Sequence, residues 1–213
     1  MEAEFAREIL SRLPLAEAVL SLWRWVADPL FLLSVFTRHR GLGYEKEISF
    51  GVLVQLIADA LLEHQGSGRK SFERGREQGL LTASVQAVYQ KLSRVPLGLS
   101  EAWLAESTAR LRPVYPAAAR LSVSPALRGL EVIIVDGKAI KRVAKRLKPL
   151  RGRKGGVLGG KALVALELRS GVVVAMATHP DGETNEAKLI PALLPQVREQ
   201  VAGKRLWVGD RQF

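Results

Sequence analysis

EVIIVDGK, residues Glu131 to Lys138, is the stretch that decides the fold, because four consecutive apolar β-formers lead directly into an aspartate and a glycine. This pattern predicts a buried strand from Glu131 to Asp136, with Asp136 at the turn formed with Gly137. Three further β-rich runs follow, at Ala162 to Leu168, Val172 to Thr178 and Arg205 to Gly209. We therefore predict four strands in the second part of the chain.

The connections between these runs predict how the strands pair. Only residues 169–171 separate the second run from the third, as expected for a hairpin. The segment from Thr184 to Ala202 has the apolar spacing of a helix, although Pro191 requires either a kink or a later start. Such a helix can return the chain to a position parallel to the first strand. Asp136 and Asp210 would then meet at one edge of the sheet.

The front part of the chain has a different pattern. Apolar residues recur every three or four positions up to about Arg120, which predicts helices. Three prolines between Arg112 and Gly129 favour a linker or an extended crossing. The prediction is an α+β protein with a helical domain at 1–125, a candidate DNA-binding domain, and a sheet-containing domain at 126–213.

One predicted helix, Thr82 to Arg94, resembles a recognition helix. It follows the Gly79 turn and carries polar residues beside an apolar face of Val85, Val88 and Leu92. Helix-turn-helix binding to DNA is one interpretation of this pattern. The alternative is a structural helix, or one that contacts DNA ends without reading bases.

Composition and charge restrict the classes of function. With 47% apolar residues the chain can form a core, and without cysteine it has no disulfide or thiolate metal site. The three histidines are too far apart for a local zinc motif. A formal net charge of +11 favours a polyanionic partner, with nucleic acid first and an anionic membrane second.

The excess charge is concentrated in the second part, where residues 131–213 carry 16 basic and 8 acidic side chains. No acid occurs between Gly137 and Lys161. We expect this tract to contact DNA, although a solvated loop is the alternative. The candidate DNA-binding residues are Lys138, Lys141, Arg142, Lys145, Arg146, Lys148, Arg151, Arg153 and Lys154.

A membrane partner is not expected. The most apolar stretch, Leu13 to Phe36, is interrupted by charged residues and by Pro29. The first residues include Glu2, Glu4 and Glu8, unlike a signal peptide or a transit peptide. We therefore expect a cytoplasmic, nucleoid-associated bacterial protein.

An ordered set of motifs in the second part resembles bacterial insertion-sequence DDE transposases, most closely family four and the related H-repeat type. The set consists of Asp136-Gly137-Lys138, then Asn185-Glu186 followed by Ile190-Pro191, and then the strand ending in Asp210. The resemblance covers roughly Glu131 to Phe213. It implies an RNase H-like catalytic domain in which Asp136 and Asp210 are two of three acids that bind Mg²⁺ or Mn²⁺. It also implies cleavage and transfer of double-stranded DNA at transposon ends.

The chemistry of phosphodiester cleavage suits these residue types. Two metal ions about 3.5–4 Å apart can stabilise both the attacking and the leaving oxygen. Carboxylates are the hard ligands that Mg²⁺ and Mn²⁺ prefer, and nearby cations hold the DNA backbone.

The third acid of that family has no counterpart before Phe213, because Glu183 and Glu186 match the segment that precedes the second aspartate. We therefore expect a truncated, frameshifted or split reading frame, with a complementing C-terminal polypeptide or a homo-oligomer as partner. The main alternative is a catalytically inactive DNA-binding protein that regulates a full-length transposase. A small ribosomal or RNA-binding protein is a third interpretation, based on charge alone.

Overall fold

The computed structural model describes residues 14–114, 124–141 and 158–210, which together form a mixed α+β protein. They contain seven α-helices and one four-stranded sheet. The helices are α1 (Pro14–Val26), α2 (Pro29–His39), α3 (Phe50–Leu62), α4 (Gly68–Glu77), α5 (Val85–Arg94), α6 (Leu97–Leu111) and α7 (Ile190–Gln200). The strands are β1 (Leu130–Lys141), β2 (Leu158–Glu167), β3 (Val172–His179) and β4 (Lys204–Val208). The predicted α+β class is confirmed.

The chain divides into two compact units, residues 1–96 and 97–213. The division lies one helix earlier than the linker expected near Pro125, because α6 packs against β3 of the sheet. Thr108 on α6 donates its hydroxyl to the Val173 carbonyl at 2.7 Å. Glu101 accepts hydrogen bonds from both the backbone N–H and the hydroxyl of Thr178, at 2.6 and 2.5 Å. Helix α6 therefore belongs to the sheet unit.

The described part of the first unit, residues 14–96, contains five helices, and four of them begin at a residue whose side chain caps the helix. In each case a carboxylate or hydroxyl oxygen accepts a hydrogen bond from a backbone N–H three residues later, at 2.8–3.5 Å. Such a cap stabilises a helix by about 1 kcal/mol. The capping residues are Asp28 for α2, Ser49 for α3, Ser67 for α4 and Ser84 for α5.

Helices α3, α4 and α5 surround the core of this unit. Leu56, Phe72 and Val88 are buried there, at most 2% exposed. Helices α3 and α4 approach closely at Gly75, where an added Cβ would lie 2.8 Å from a methyl carbon of Leu56. The Ser71 hydroxyl also donates to the Leu56 carbonyl at 2.7 Å, so the buried hydroxyl is satisfied.

Helices α1 and α2 are apolar, but within the described ranges no single helix is long and apolar enough to cross a membrane. The segments Glu17–Val26 and Pro29–His39, which meet at 40°, pass that criterion of length and composition only as a pair.

The sheet has the strand order β3-β2-β1-β4. Strand β2 is antiparallel to both β1 and β3, whereas β4 is parallel to β1. The four predicted strands and the predicted hairpin are confirmed. The hairpin turn needs Gly171, which has a φ of +67° and donates its N–H to the Glu167 carbonyl at 2.9 Å.

Helix α7 covers one face of the sheet. It starts at Ile190 rather than at Thr184, after a short 3-10 turn at Glu186–Lys188, so Pro191 occupies the first helical turn, where its missing N–H is tolerated. Pro195 lies inside the helix. The buried residues under the helix are Ile133 and Val135 of β1, Leu163 and Ala165 of β2, Ala175 and Ala177 of β3, and Leu193 and Val197 of α7.

Candidate functional site

Asp136 lies within β1 and not at its end. The strand continues to Lys141 because β2 supplies pairing partners from Val164, opposite Asp136, to Leu158, opposite Lys141. The predicted strand end at Asp136 and the predicted turn at Gly137 are therefore wrong. The Asp136 side chain is exposed, and it points away from the face that α7 covers, since its neighbour Val135 is buried on that face.

The parallel pairing of β1 with β4 relates the position of the second predicted acid, Asp210, to that of Asp136. Each pair in this ladder joins residues 74 positions apart, from Leu130 with Lys204 to Ile134 with Val208. The pairing ends at Ile134 with Val208, two residues short of Asp136 and Asp210. Asp210 follows the end of β4 and is also exposed. A continuation of the same register would place the two acids side by side.

The surface around this pair is open and partly apolar. Register partners point to the same side of a sheet, so Leu206 and Val208 of β4 share the face of Asp136. They are 38% and 43% exposed. This face is therefore exposed at Asp136, Leu206 and Val208, whereas Val132 on the same face of β1 is buried.

Most of the basic tract lies outside the described residues. The structure describes the side chain of Lys138, which is exposed and on the same face of β1 as Asp136, and the backbone of Lys141. The other candidate DNA-binding residues, Arg142, Lys145, Arg146, Lys148, Arg151, Arg153 and Lys154, fall in the segment 142–157 that is not described. Their contact with DNA stays a prediction.

Glu186 occupies the opposite side of β1. Its carboxylate forms an ion pair with Lys161 at 3.5 Å, and both side chains are only 13% exposed. The carboxyl group lies directly over Gly137, where an added Cβ would be 2.1 Å from the Glu186 Cδ. Glu186 therefore faces the α7 side of the sheet, and Lys161 is engaged by it. This geometry does not favour Glu186 as a third acid beside Asp136.

Glu183 lies in the turn that follows β3. Its backbone N–H donates to the Asp181 carboxylate at 2.9 Å, and the side chain is exposed. Neither Glu183 nor Glu186 forms a cluster with the two aspartates. Across the described ranges, no group of three or more His, Cys, Asp or Glu residues is arranged to hold a metal ion.

Two carboxylates on adjacent strands can still hold a divalent cation loosely. Their oxygens are the ligand type that Mg²⁺ and Mn²⁺ prefer, and Mg²⁺ commonly keeps several waters while bound through one or two carboxylates. The donor set of Asp136 and Asp210 thus fits one hard cation. Two strongly held cations would need further ligands.

Comparison with known proteins identifies no relative. No family model matches the chain, and neither a curated protein nor a solved structure matches it.

The contact among Gly137, Glu186 and Lys161 was not predicted from the sequence. A glycine after an apolar run and an aspartate predicts a turn. In the structure Gly137 instead leaves room for the Glu186 carboxyl group. The sequence alone carries no signal for this contact, because Gly137 lies in β1, Lys161 in β2 and Glu186 in the turn before α7. Only the strand register shows that they meet.

Replacement of Gly137 by alanine should destabilise the second unit by about 0.5–1.5 kcal/mol, because the Glu186 carboxyl group ends a flexible side chain that can turn into a less favourable rotamer. The new methyl group would occupy the position of the Glu186 carboxyl group. Urea unfolding of the full chain measures the change. The matched control is Gly98→Ala on α6, where an added Cβ meets nothing within 4 Å and should have little effect.

A double-mutant cycle tests the cause. In a Glu186→Ala background the Gly137→Ala penalty should disappear, because the carboxyl group that causes the clash is gone. An equal penalty in both backgrounds would show that Gly137 is required for another reason.

Proposed function

We propose that this chain is part of an insertion-sequence DDE transposase that binds transposon-end DNA, with Asp136 and Asp210 as two acids of a metal-dependent site for strand cleavage and transfer. The observation that carries the proposal is the parallel register of β1 and β4. Extended by two residues, this register would bring together two aspartates that are 74 residues apart, which supports an RNase H-like arrangement of the two strands. The proposal includes the finer fold assignment, RNase H-like, for the sheet unit.

The residues of this chain have distinct roles in the proposal. Asp136 and Asp210 would hold the cation with their carboxylates on the open face of the sheet. Lys138, two residues along β1 and on the same face, would attract the phosphate backbone toward the acids. The pair of Glu186 and Lys161 would keep the β1 backbone in position from the other face. A divalent cation bound there would stabilise negative charge at the scissile phosphate and activate the attacking oxygen.

The open face supports a polymeric substrate. A small-molecule site is usually enclosed, whereas Asp136 is exposed and its neighbours Leu206 and Val208 are each more than one third exposed. The net charge of +11 also favours a polyanion.

Metal binding should depend on both aspartates. We expect weak Mn²⁺ binding that falls at least about tenfold in Asp136→Asn and in Asp210→Asn, since loss of even an outer ligand commonly costs that much. Paramagnetic resonance of free Mn²⁺ measures the affinity. Glu199→Gln, an exposed acid on α7, is the control and should change nothing.

The double variant sharpens this test. If the two aspartates share one ion, the Asp136→Asn/Asp210→Asn protein should bind little more weakly than either single variant. Binding of two ions to the unmodified protein, with one ion lost in each single variant, would contradict a shared site.

DNA binding should depend on the basic tract. Replacement of Lys141, Arg142, Lys145 and Arg146 by alanine should weaken binding to unrelated duplexes and lower the salt slope by up to about 3–4, since each phosphate contact contributes roughly 0.9. Titration of a labelled duplex at several salt concentrations measures the slope. The same number of alanines on α4, at Arg69, Lys70, Arg74 and Arg76, is the matched control. An unchanged slope in the tract variant would remove the tract from the interface.

A second candidate function is a DNA-binding protein that does not cleave and that occupies transposon ends. It is favoured by the absence of any three-acid cluster from the described residues. With Mg²⁺ and DNA carrying transposon ends, we expect the purified chain to bind but neither nick nor join the DNA. Cleavage that is lost in Asp136→Asn would overturn this candidate and show that another acid of the chain completes the site.

A further inference from the structure

A groove in the first unit lies between the loop 42–48 and α5. Its volume is about 550 Å³, within the range of small-ligand sites. Phe36, Ile48 and Ala83 form an apolar floor, and each is 5–7% exposed. Such a floor suits a flat, uncharged ring.

The rim of this groove is cationic. Lys46, Lys91 and Arg94 line it together with a single acid, Glu47. Lys46 and Arg94 are exposed, and Lys91 is half-buried. A ligand that fits both the floor and the rim therefore combines an uncharged aromatic ring with an attached negatively charged group.

Tyr44 stands at the same rim and is 56% exposed. The ammonium groups of Lys46 and Lys91 lie 5.8 and 5.1 Å from the centre of its ring. Lys91 also donates a hydrogen bond to the Tyr44 carbonyl, which ties the loop to α5. The ring is thus held in place while much of its surface stays accessible, as a stacking platform requires.

We infer that this groove, the Tyr44 groove, binds one unstacked nucleotide of a DNA strand. The base would lie on the apolar floor beside Tyr44, and its flanking phosphates would contact Lys46, Lys91 and Arg94. A base that is stacked and paired inside a duplex cannot reach the apolar floor, so the nucleotide must be single-stranded or turned out of the helix. This contact lies in the first unit and does not depend on the metal site of the second.

The test uses the full chain and a short fluorescein-labelled oligothymidylate, with binding measured by fluorescence anisotropy at constant salt. Tyr44→Ala should weaken binding about tenfold, in line with the loss of one base–aromatic stack, whereas Tyr44→Phe should keep nearly all of it. Loss of binding in both variants, or in neither, would overturn the inference. The duplex of the same length should be much less sensitive to Tyr44→Ala.

The charge contribution is tested separately. Lys91→Gln/Arg94→Gln should weaken oligothymidylate binding several-fold more than Arg69→Gln/Arg76→Gln, which removes the same charge from exposed positions on α4. Equal losses would show a general electrostatic effect and not a groove. The basic tract and both aspartates are unchanged in all these variants. If the groove variants bind oligothymidylate normally, the transposase proposal is therefore unaffected.

Cross-linking identifies the contact directly. Oligothymidylate that contains one 4-thiothymidine should cross-link on irradiation to a peptide from the groove, and less so in Tyr44→Ala. Cross-links confined to residues 97–213 would overturn the inference. So would displacement of the oligonucleotide by an acidic peptide of equal charge at equal concentration, which would indicate a peptide-binding groove.

Discussion

The parallel pairing of β1 with β4 is the constraint on which the candidate site depends, since it determines where Asp210 lies relative to Asp136. A parallel neighbour needs a long crossover, and α7 provides it. Side chains on both faces of β4 are exposed, so the backbone pairs from Leu130 with Lys204 to Ile134 with Val208 define its register. A shift of one residue would exchange the two faces of β4 relative to β1. The same shift would move Asp210 away from Asp136.

Strand β1 is supported differently on its two faces. On one face the core under α7 holds Ile133 and Val135, and the Glu186 carboxyl group packs directly on Gly137. On the other face Asp136 and Lys138 are exposed. A nearly buried ion pair contributes little net stability but is costly to disrupt, so the contact of Glu186 with Lys161 fixes geometry more than it adds stability. The packed face of β1 thus holds the strand in place, and Asp136 is exposed on the opposite face.

The two units present complementary chemistry toward a polyanion. A pair of carboxylates repels DNA, so the proposed site in the second unit would need cations beside it, and the exposed Lys138 on the same face is one. The first unit instead presents Tyr44 with three cations around an apolar floor. The proposed contacts are of two kinds, one with the DNA backbone and one with a base. Together they would suit a protein that binds DNA in which at least one nucleotide is unpaired.

The sequence by itself determined the elements whose causes are local. Short apolar runs bounded by turn residues predicted all four strands, and a three-residue connection predicted the hairpin. The spacing of apolar residues predicted the helices and the parallel return of β4. Tertiary structure decided what depends on distant partners. Strand β1 extends past Asp136 because β2 pairs with it, and α6 joins the sheet because Glu101 reaches Thr178, 77 residues away. Gly137 and the Tyr44 groove likewise acquire their roles from Glu186 and Lys91, since a steric clash or a cation–π contact exists only after packing brings the residues together.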